Sequence, residues 1–341
     1  MRILLVGNGQ AHQVGAFFLR ALGSGEHEYA FVDESRYFGK ITTSWLHRLA
    51  FHLLGRPLNY RQFNHDTLGL GLRFKPQIII VIKGAYLSPD VLARLRQEAP
   101  SVLINYATDD PFNPVVATRD LLSGIPEYTL YACTKRNMIN DVVQAGCLQA
   151  VFVPFGYDPS SHFWEPPLTA EEKKRFASDV VFIGGADADR VPIFRMLIKT
   201  STMDLRLYGG YWNRDSQLRQ YYHGWAVGRD YRMVLSGTKI ALGLVRRANR
   251  DGHSMRTFEI PACGTFMLAE RTDEHLEFFE EDKEAGYFGS NEELIEKTHY
   301  YLKHDAERQR MAEAAQTRLR QGHHTYRDRV LTILEAASSL R

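Results

Sequence analysis

The chain has few cysteines, no long hydrophobic run and almost no excess of either charge. Its three cysteines, Cys133, Cys147 and Cys263, are odd in number and form no C-x-x-C unit, which argues against a disulfide framework or a zinc ribbon. Reduced thiols in a cytoplasm, buried as small hydrophobes, are expected instead. No apolar stretch approaches the roughly 20 residues of a membrane span; Ile78–Ile82 is five residues long and suits a buried strand. Met1–Gly7 lacks the basic region, apolar stretch and cleavage site of a signal peptide, so the mature chain is expected to start at Met1. Lys+Arg 42 against Asp+Glu 40 leaves a net charge of +2, without the strongly basic footprint of a nucleic-acid-binding domain. A local basic pocket remains compatible with that balance. There is no internal repeat and no low-complexity tract.

What the chain does have is an ordinary globular composition, 44% hydrophobic and 24% charged over 341 residues, enough for two domains at about 150 residues each. Short apolar runs alternate with helical patterns in both halves, the mark of parallel sheets built from βαβ units. In the first half strands are expected at Arg2–Val6, Glu28–Val32, Ile78–Ile82, Val102–Tyr106, Leu130–Ala132 and Val151–Val153. Ser88 and Pro89 supply helix-start chemistry. Pro154–Lys174 carries four prolines and then Glu171-Glu172-Lys173-Lys174, and reads as a linker. Strands resume at Asp179–Ile183, Leu205–Tyr208, Ile240–Val245 and Thr265–Ala269, followed by a helical tail from Ser290 whose last helix covers about Tyr326–Leu340.

Four constellations could carry chemistry. Gly7-Asn8-Gly9, with His12 where a dinucleotide fingerprint has its third glycine, follows the first strand, and Asp33 ends the second. This is either an NAD site or a tight turn facing whatever cleft the protein has. Thr108-Asp109-Asp110-Pro111 places two carboxylates at the carboxyl end of a strand, where α/β proteins bind ligands; either could be a general base or merely cap the turn before proline. Gly184-Gly185, with Arg190 close behind, could let backbone amides approach a phosphate.

The richest segment is Arg246 to Gly264. A strand runs into a loop holding four arginines, Asp251, His253 and Ser254, and a helix then begins near Ser254 and carries Thr257 and Glu259. Free amides and the helix dipole favour an anion, with Arg256 and His253 as charge-assisted donors and Lys239 or Arg246 as further sources of charge. Glu259 accepts hydrogen bonds, so its natural partner is a pair of sugar hydroxyls. The combination suggests a ligand carrying both phosphate and sugar; the alternative is a solvated basic loop with Glu259 pairing an arginine.

Arg256-Thr257-Phe258-Glu259-Ile260-Pro261-Ala262-Cys263-Gly264, followed by Glu270-Arg271-Thr272-Asp273-Glu274, resembles the C-terminal domain of the CgeB-like (spore maturation protein) glycosyltransferases, relatives of the family 4 GT-B enzymes. The resemblance extends to Thr108–Pro111, Val153–Pro159, Asp179–Gly184, Glu292–Leu302 and His324–Tyr326, and is looser in the first hundred residues. It implies a GT-B fold of class α/β: two Rossmann-like domains facing across a cleft, with a C-terminal helix crossing back to the N-terminal domain. The implied divisions are 1–155 for the acceptor domain, 156–175 for a linker, 176–322 for the donor domain and 323–341 for the returning helix.

By the same resemblance Glu259 matches the acid that holds the nucleotide ribose. Asp251 falls where a second acid addresses the donor sugar, as a shorter carboxylate than the family has. Gly184, Gly185, Arg190, Lys239, Arg246, His253, Ser254, Arg256, Thr257 and Glu259 form the expected donor site. Gly7, Asn8, Gly9 and His12 line the acceptor side, and Asp109 and Asp110 join Asp251 as catalytic candidates. The expected chemistry is metal-independent hexosyl transfer in the cytoplasm, with no cofactor beyond a UDP-, GDP- or dTDP-linked sugar and with a glycan, protein or small molecule as acceptor. Two other functions fit the residues: an NAD-dependent Rossmann oxidoreductase working through Gly7, Gly9 and Asp33, and a non-catalytic nucleotide-binding protein on a GT-B scaffold.

Overall fold

The structure, a computed structural model, describes residues 1–39, 49, 51, 53, 55–99, 101–200 and 202–340. The chain forms two compact units, Met1–Pro154 with Tyr326–Arg341, and Phe155–Thr325. In the first, β1 (Arg2–Gly7), β2 (Glu28–Asp33), β3 (Ile78–Ile82), β4 (Val102–Ala107), β5 (Leu130–Cys133) and β6 (Gln149–Phe152) make a wholly parallel sheet in the order β2-β1-β3-β4-β5-β6. β3 is buried along its whole length, as befits a β-branched strand covered on both faces. Its core partners include Leu4, Val6, Leu103, Phe63, Leu92 and Leu95. The helix Pro89–Glu98 starts as its sequence suggests, with extended Ser88 before Pro89, although the Ser88 side chain makes no capping bond. The closing helix Tyr326–Ser338 belongs to this unit, its Tyr326 ring stacked 5.0 Å from that of Phe17.

The second unit repeats the plan with β7 (Ser178–Ile183), β8 (Leu205–Tyr208), β9 (Thr238–Gly243), β10 (Met267–Glu270) and β11 (Gly286–Phe288), parallel in the order β11-β10-β9-β7-β8. β9 lies two residues earlier than the apolar pattern suggests, because Leu244 and Val245 are buried beyond the end of the ladder. β11 has only three residues and no periodic signal to betray it. The proline-rich segment is more than a tether: Phe155, Tyr157, Asp158 and His162 are buried, and Thr169 with Glu172 forms a capping box on the helix Ala170–Phe176. Proline content reports backbone stiffness, not side-chain burial.

The three cysteines are buried and unpaired; burial pushes the Cys133 thiol up to about 12 and that of Cys147 up to about 11. No described helix is long and apolar enough to cross a membrane.

One close contact fixes the turn after β1. A Cβ on Gly15 would stand 2.4 Å from the Asn8 carbonyl oxygen, so Gly15, three residues beyond His12, supplies the close helix-to-turn packing of a third fingerprint glycine. Alanine within a helix ordinarily stabilises by about 1 kcal/mol over glycine. Gly15→Ala is expected to do the reverse, costing about 1–3 kcal/mol in urea denaturation through overpacking; a stabilised variant would contradict this contact.

Candidate functional site

In the second sheet, β8 and β9 leave β7 on opposite sides, so the strand order reverses there and opens a crevice outside the carboxyl ends of β7 and β9. Two glycine turns meet at this edge. Gly209 (φ +113) has its would-be Cβ 2.6 Å from the Gly184 carbonyl oxygen, and the Trp212 indole donates to that same carbonyl at 2.8 Å. Backbone therefore packs on backbone, leaving the turn Gly184-Gly185 without side chains.

Two arginines serve this turn. Arg190, its side chain only 5% exposed, donates to Gly185 O at 3.2 Å and to Leu244 O at 3.4 Å, tying the end of β7 to the end of β9. Arg256 donates through Nε to Ile183 O and brings Nη2 within 3.6 Å of where a Gly184 Cβ would stand. Desolvation, with the Arg256 charge beside it, pulls Arg190 down to about 10. Arg190 still carries its charge at neutral pH, and the Arg256 guanidinium beside it is a like charge that repels it. Asp187 offsets Arg190 at 3.3 Å and lies 3.9 Å from Arg246. Among the described residues Arg256 has no acidic partner, so the edge carries positive charge that an anion would satisfy.

Glu259 stands three residues after Arg256, on the same face of the helix Arg256–Ala262. The Tyr231 hydroxyl donates to its Oε2 at 2.6 Å, and His162 Nε2 lies 3.4 Å from its Oε1. His162 Nδ1 accepts the Asp158 N–H at 3.1 Å, which leaves the ring proton on Nε2, facing Glu259. Burial and the neighbouring carboxylate raise the Tyr231 hydroxyl well above its ordinary value, keeping it a donor. A carboxylate held from both sides retains lone pairs for two ligand hydroxyls.

The structure brings Gly184, Gly185, Arg190, Arg246, Ser254, Arg256 and Glu259 to this edge and sends three expected ligands elsewhere. His253 is fully buried, with Nδ1 2.5 Å from Glu274 Oε2 and Nε2 accepting the Phe155 N–H at 3.0 Å. Both its nitrogens are engaged inside a shell of Phe155, Phe258 and Phe278. Thr257 is also buried: it accepts the Ser254 N–H and donates to His275 Nε2. His275 in turn donates from Nδ1 to Glu270 O, and burial lowers it to about 4. Lys239 begins β9, at the opposite edge of the sheet, paired with Asp179 at 2.8 Å. Asp251 spends its oxygens within its own loop, accepting Arg246 N–H at 3.2 Å and Asn249 Nδ2 at 2.7 Å.

In the first unit the strand order reverses at β1 and β3. Asn8 Oδ1 accepts the Gln10 N–H, and His12 is exposed. Asp33 Oδ1 already accepts from Gly9 N (2.8 Å), Ser35 N (2.9 Å) and Ser35 Oγ (2.7 Å). Its carboxyl carbon lies 2.8 Å from where a Gly9 Cβ would be. A carboxylate folded onto its own turn and so occupied speaks against a ribose contact of the NAD kind. Asp110 is buried and caps Phe112 N at 3.0 Å. Asp109 pairs with Lys83 Nζ at 2.8 Å. Lys83 (φ 65) lies just past β3 and was not anticipated, although a cation directly after an apolar strand is a legible signal. Tyr231, His162, Glu274 and His275 were missed because only the fold brings them to the loop.

Comparison with known proteins gives a family match over part of the chain and a fold match over all of it. Residues 190–335 match the family model described as Glycosyl transferase-like. Sucrose-phosphate synthase from Thermosynechococcus elongatus is similar over 100% of this chain and 99% of its own, with TM-score 0.70 and 12% identity. Anabaena Alr3699/HepE in complex with UDP-glucose gives TM-score 0.64 at 12% identity, over 99% and 100% of the two chains. The lipopolysaccharide outer core galactosyltransferase WaaB gives 0.60 at 9%, over 99% and 100%. This is the GT-B fold. No curated protein matches the sequence. The GT-B likeness spans the whole chain, while the family model covers mainly the unit that holds Arg256 and Glu259.

Glu34, at the carboxyl end of β2 in this GT-B chain, provides a check on the first unit. Desolvation, opposed by Lys83 and reinforced by Asp33, pushes it from 4.5 up to about 7. The folded state thus holds this proton more tightly than the unfolded one, so the stabilisation is complete below pH 4.5 and is lost as pH rises through about 7. Glu34→Gln is expected to flatten the pH dependence of Tm across that window; an unchanged slope would contradict the assignment.

Proposed function

We propose that this chain is a nucleotide-sugar-dependent glycosyltransferase whose second unit binds the donor. The observation that carries this reading is the pairing of Arg256, a cation without an acid among the described residues, with Glu259 one turn later on the same helix, beside the bare turn Gly184-Gly185. The diphosphate lies over that turn, its charge met by Arg256 and Arg246 above the buried Arg190. The ribose hydroxyls donate to Glu259. UDP is the favoured nucleotide, because solved neighbours of this fold are complexes with UDP and UDP-glucose.

In the reaction the bond between the anomeric carbon and the phosphate oxygen breaks, its electron pair leaving with the diphosphate, while an acceptor oxygen bonds to the same carbon. Arg256 and Arg246 stabilise the charge that grows on the leaving group, an electrostatic contribution that needs no metal and no further cofactor. If configuration inverts, Asp109, which pairs with Lys83, takes the acceptor proton; if it is retained, the leaving phosphate takes the proton. The acceptor, a hydroxyl of a glycan, protein or small molecule, is held by the first unit near Gly7, Asn8, Gly9 and His12. Buried, unpaired thiols suit work in the cytoplasm.

Calorimetry with UDP and NAD tests the donor assignment. UDP is expected to bind and NAD to give no heat. Glu259→Ala removes charged hydrogen bonds, each worth about 1.5–3 kcal/mol, so losing even one lowers affinity by roughly tenfold or more, and Glu259→Gln guards against a folding defect. Wild-type affinity in both variants would place the ribose elsewhere. Separately, Arg256→Ala is expected to lower UDP affinity about tenfold or more and to weaken its dependence on salt; a salt response identical to wild type would remove Arg256 from the diphosphate.

A further inference from the structure

A second cavity lies in the same unit, at the amino ends of β9 and β10, the opposite edge of the sheet from Arg256 and Glu259. A six-residue strand separates the two edges by about 20 Å at 3.3 Å per residue. The cavity has a volume of about 560 Å³, within the range of small-molecule sites. One wall is the Trp164 indole, 60% exposed. A stripe of the helix Asp305–Gln321 also lines it, with Gln309, Ala312, Glu313 and Gln316 spaced to share one face.

Trp164 is seated, not loosely splayed. It lies on the turn at Gly264, where a Cβ would approach its Cδ1 to 2.8 Å and where φ is +73. Its indole N–H has no hydrogen-bond partner among the described residues, nor do the Gln309 amide and the Glu313 carboxylate. Gln316 uses only Nε2, on Ala262 O at 3.4 Å. The two cations that line the cavity are both spent: Lys239 on Asp179, and Arg308 on Asp305 and the Tyr301 carbonyl.

These facts select the ligand class. With its cations neutralised and a free carboxylate present, the cavity does not favour a phosphate or sulfate. Amides and a carboxylate between short apolar patches do not suit an acyl chain. An exposed aromatic face in one cavity with amides and a carboxylate matches a pyranose, whose C–H face packs on an indole while its hydroxyls reach amide and carboxylate. We propose that this cavity is a subsite for a neutral oligosaccharide, with Trp164 as its stacking platform and Gln309, Glu313 and Gln316 as its polar contacts. It uses none of the donor-site residues.

The test is titration of the full chain with maltoheptaose, cellohexaose and chitohexaose, followed by indole fluorescence and calorimetry, with UDP affinity measured in parallel. At least one oligosaccharide is expected to quench fluorescence and bind. Trp164→Ala should abolish that binding, and Gln309→Ala and Glu313→Gln should each weaken it about threefold or more, all with UDP affinity unchanged. No response to any of the three at millimolar concentration, wild-type affinity in Trp164→Ala, or tighter binding of a heparin octasaccharide than of any of them would overturn the proposal. Should circular dichroism show Trp164→Ala misfolded, the Gln309 and Glu313 variants decide, since both positions are exposed on the helix; unchanged affinity in both overturns it. Failure of UDP to bind the wild-type chain would count against the donor reading alone.

Discussion

The donor site proposed in the second unit depends on one electrostatic constraint: two guanidinium groups held near each other at the end of a parallel sheet, with one carboxylate, Asp187, offsetting the inner one. Arg190 is tied by its carbonyl contacts into the joint between β7 and β9. Arg256 is anchored through Nε, so its outer nitrogens are the unspent ones. Like charges kept close in a partly buried place raise the free energy of the empty site and lower that of any state in which an anion joins them.

That arrangement rests on the fold below it. Gly209 and Gly184 pack their backbones together because neither carries a side chain, and this clears the space above the turn. His253, which looks like a ligand in the sequence, works from beneath. With Glu274 on one nitrogen and the Phe155 amide on the other, it locks the start of the Arg256 helix to the helix Asp273–Phe278 and to the beginning of the unit. Thr257 and His275 add a second tie between the same elements. The first unit has the same strand-order reversal but opposite electrostatics: its cation Lys83 is matched by Asp109, and Asp33 is folded onto Gly9.

The parallel sheets and most strands were legible from apolar runs, because a strand covered on both faces is a short block of β-branched residues. β11 was not, being three residues long. Glu259 and Arg256 were legible because a local segment brings them together on one helix face. Residue type misled at His253 and Thr257, where polar side chains in a basic loop are spent on internal hydrogen bonds, and at Lys239, whose place at the start of its strand puts it at the far edge of the sheet. Tyr231 and His162, which clamp Glu259, are 28 and 97 residues away from it in the chain, and no spacing rule connects them.

The most direct test of the account is a crystal structure of the full chain with UDP. The account predicts the diphosphate over Gly184-Gly185 with Arg256 on its oxygens and both ribose hydroxyls on Glu259, while Asp33 keeps its bonds to Gly9 and Ser35. A diphosphate at the Gly7-Asn8-Gly9 turn, or a ribose away from Glu259, would contradict it.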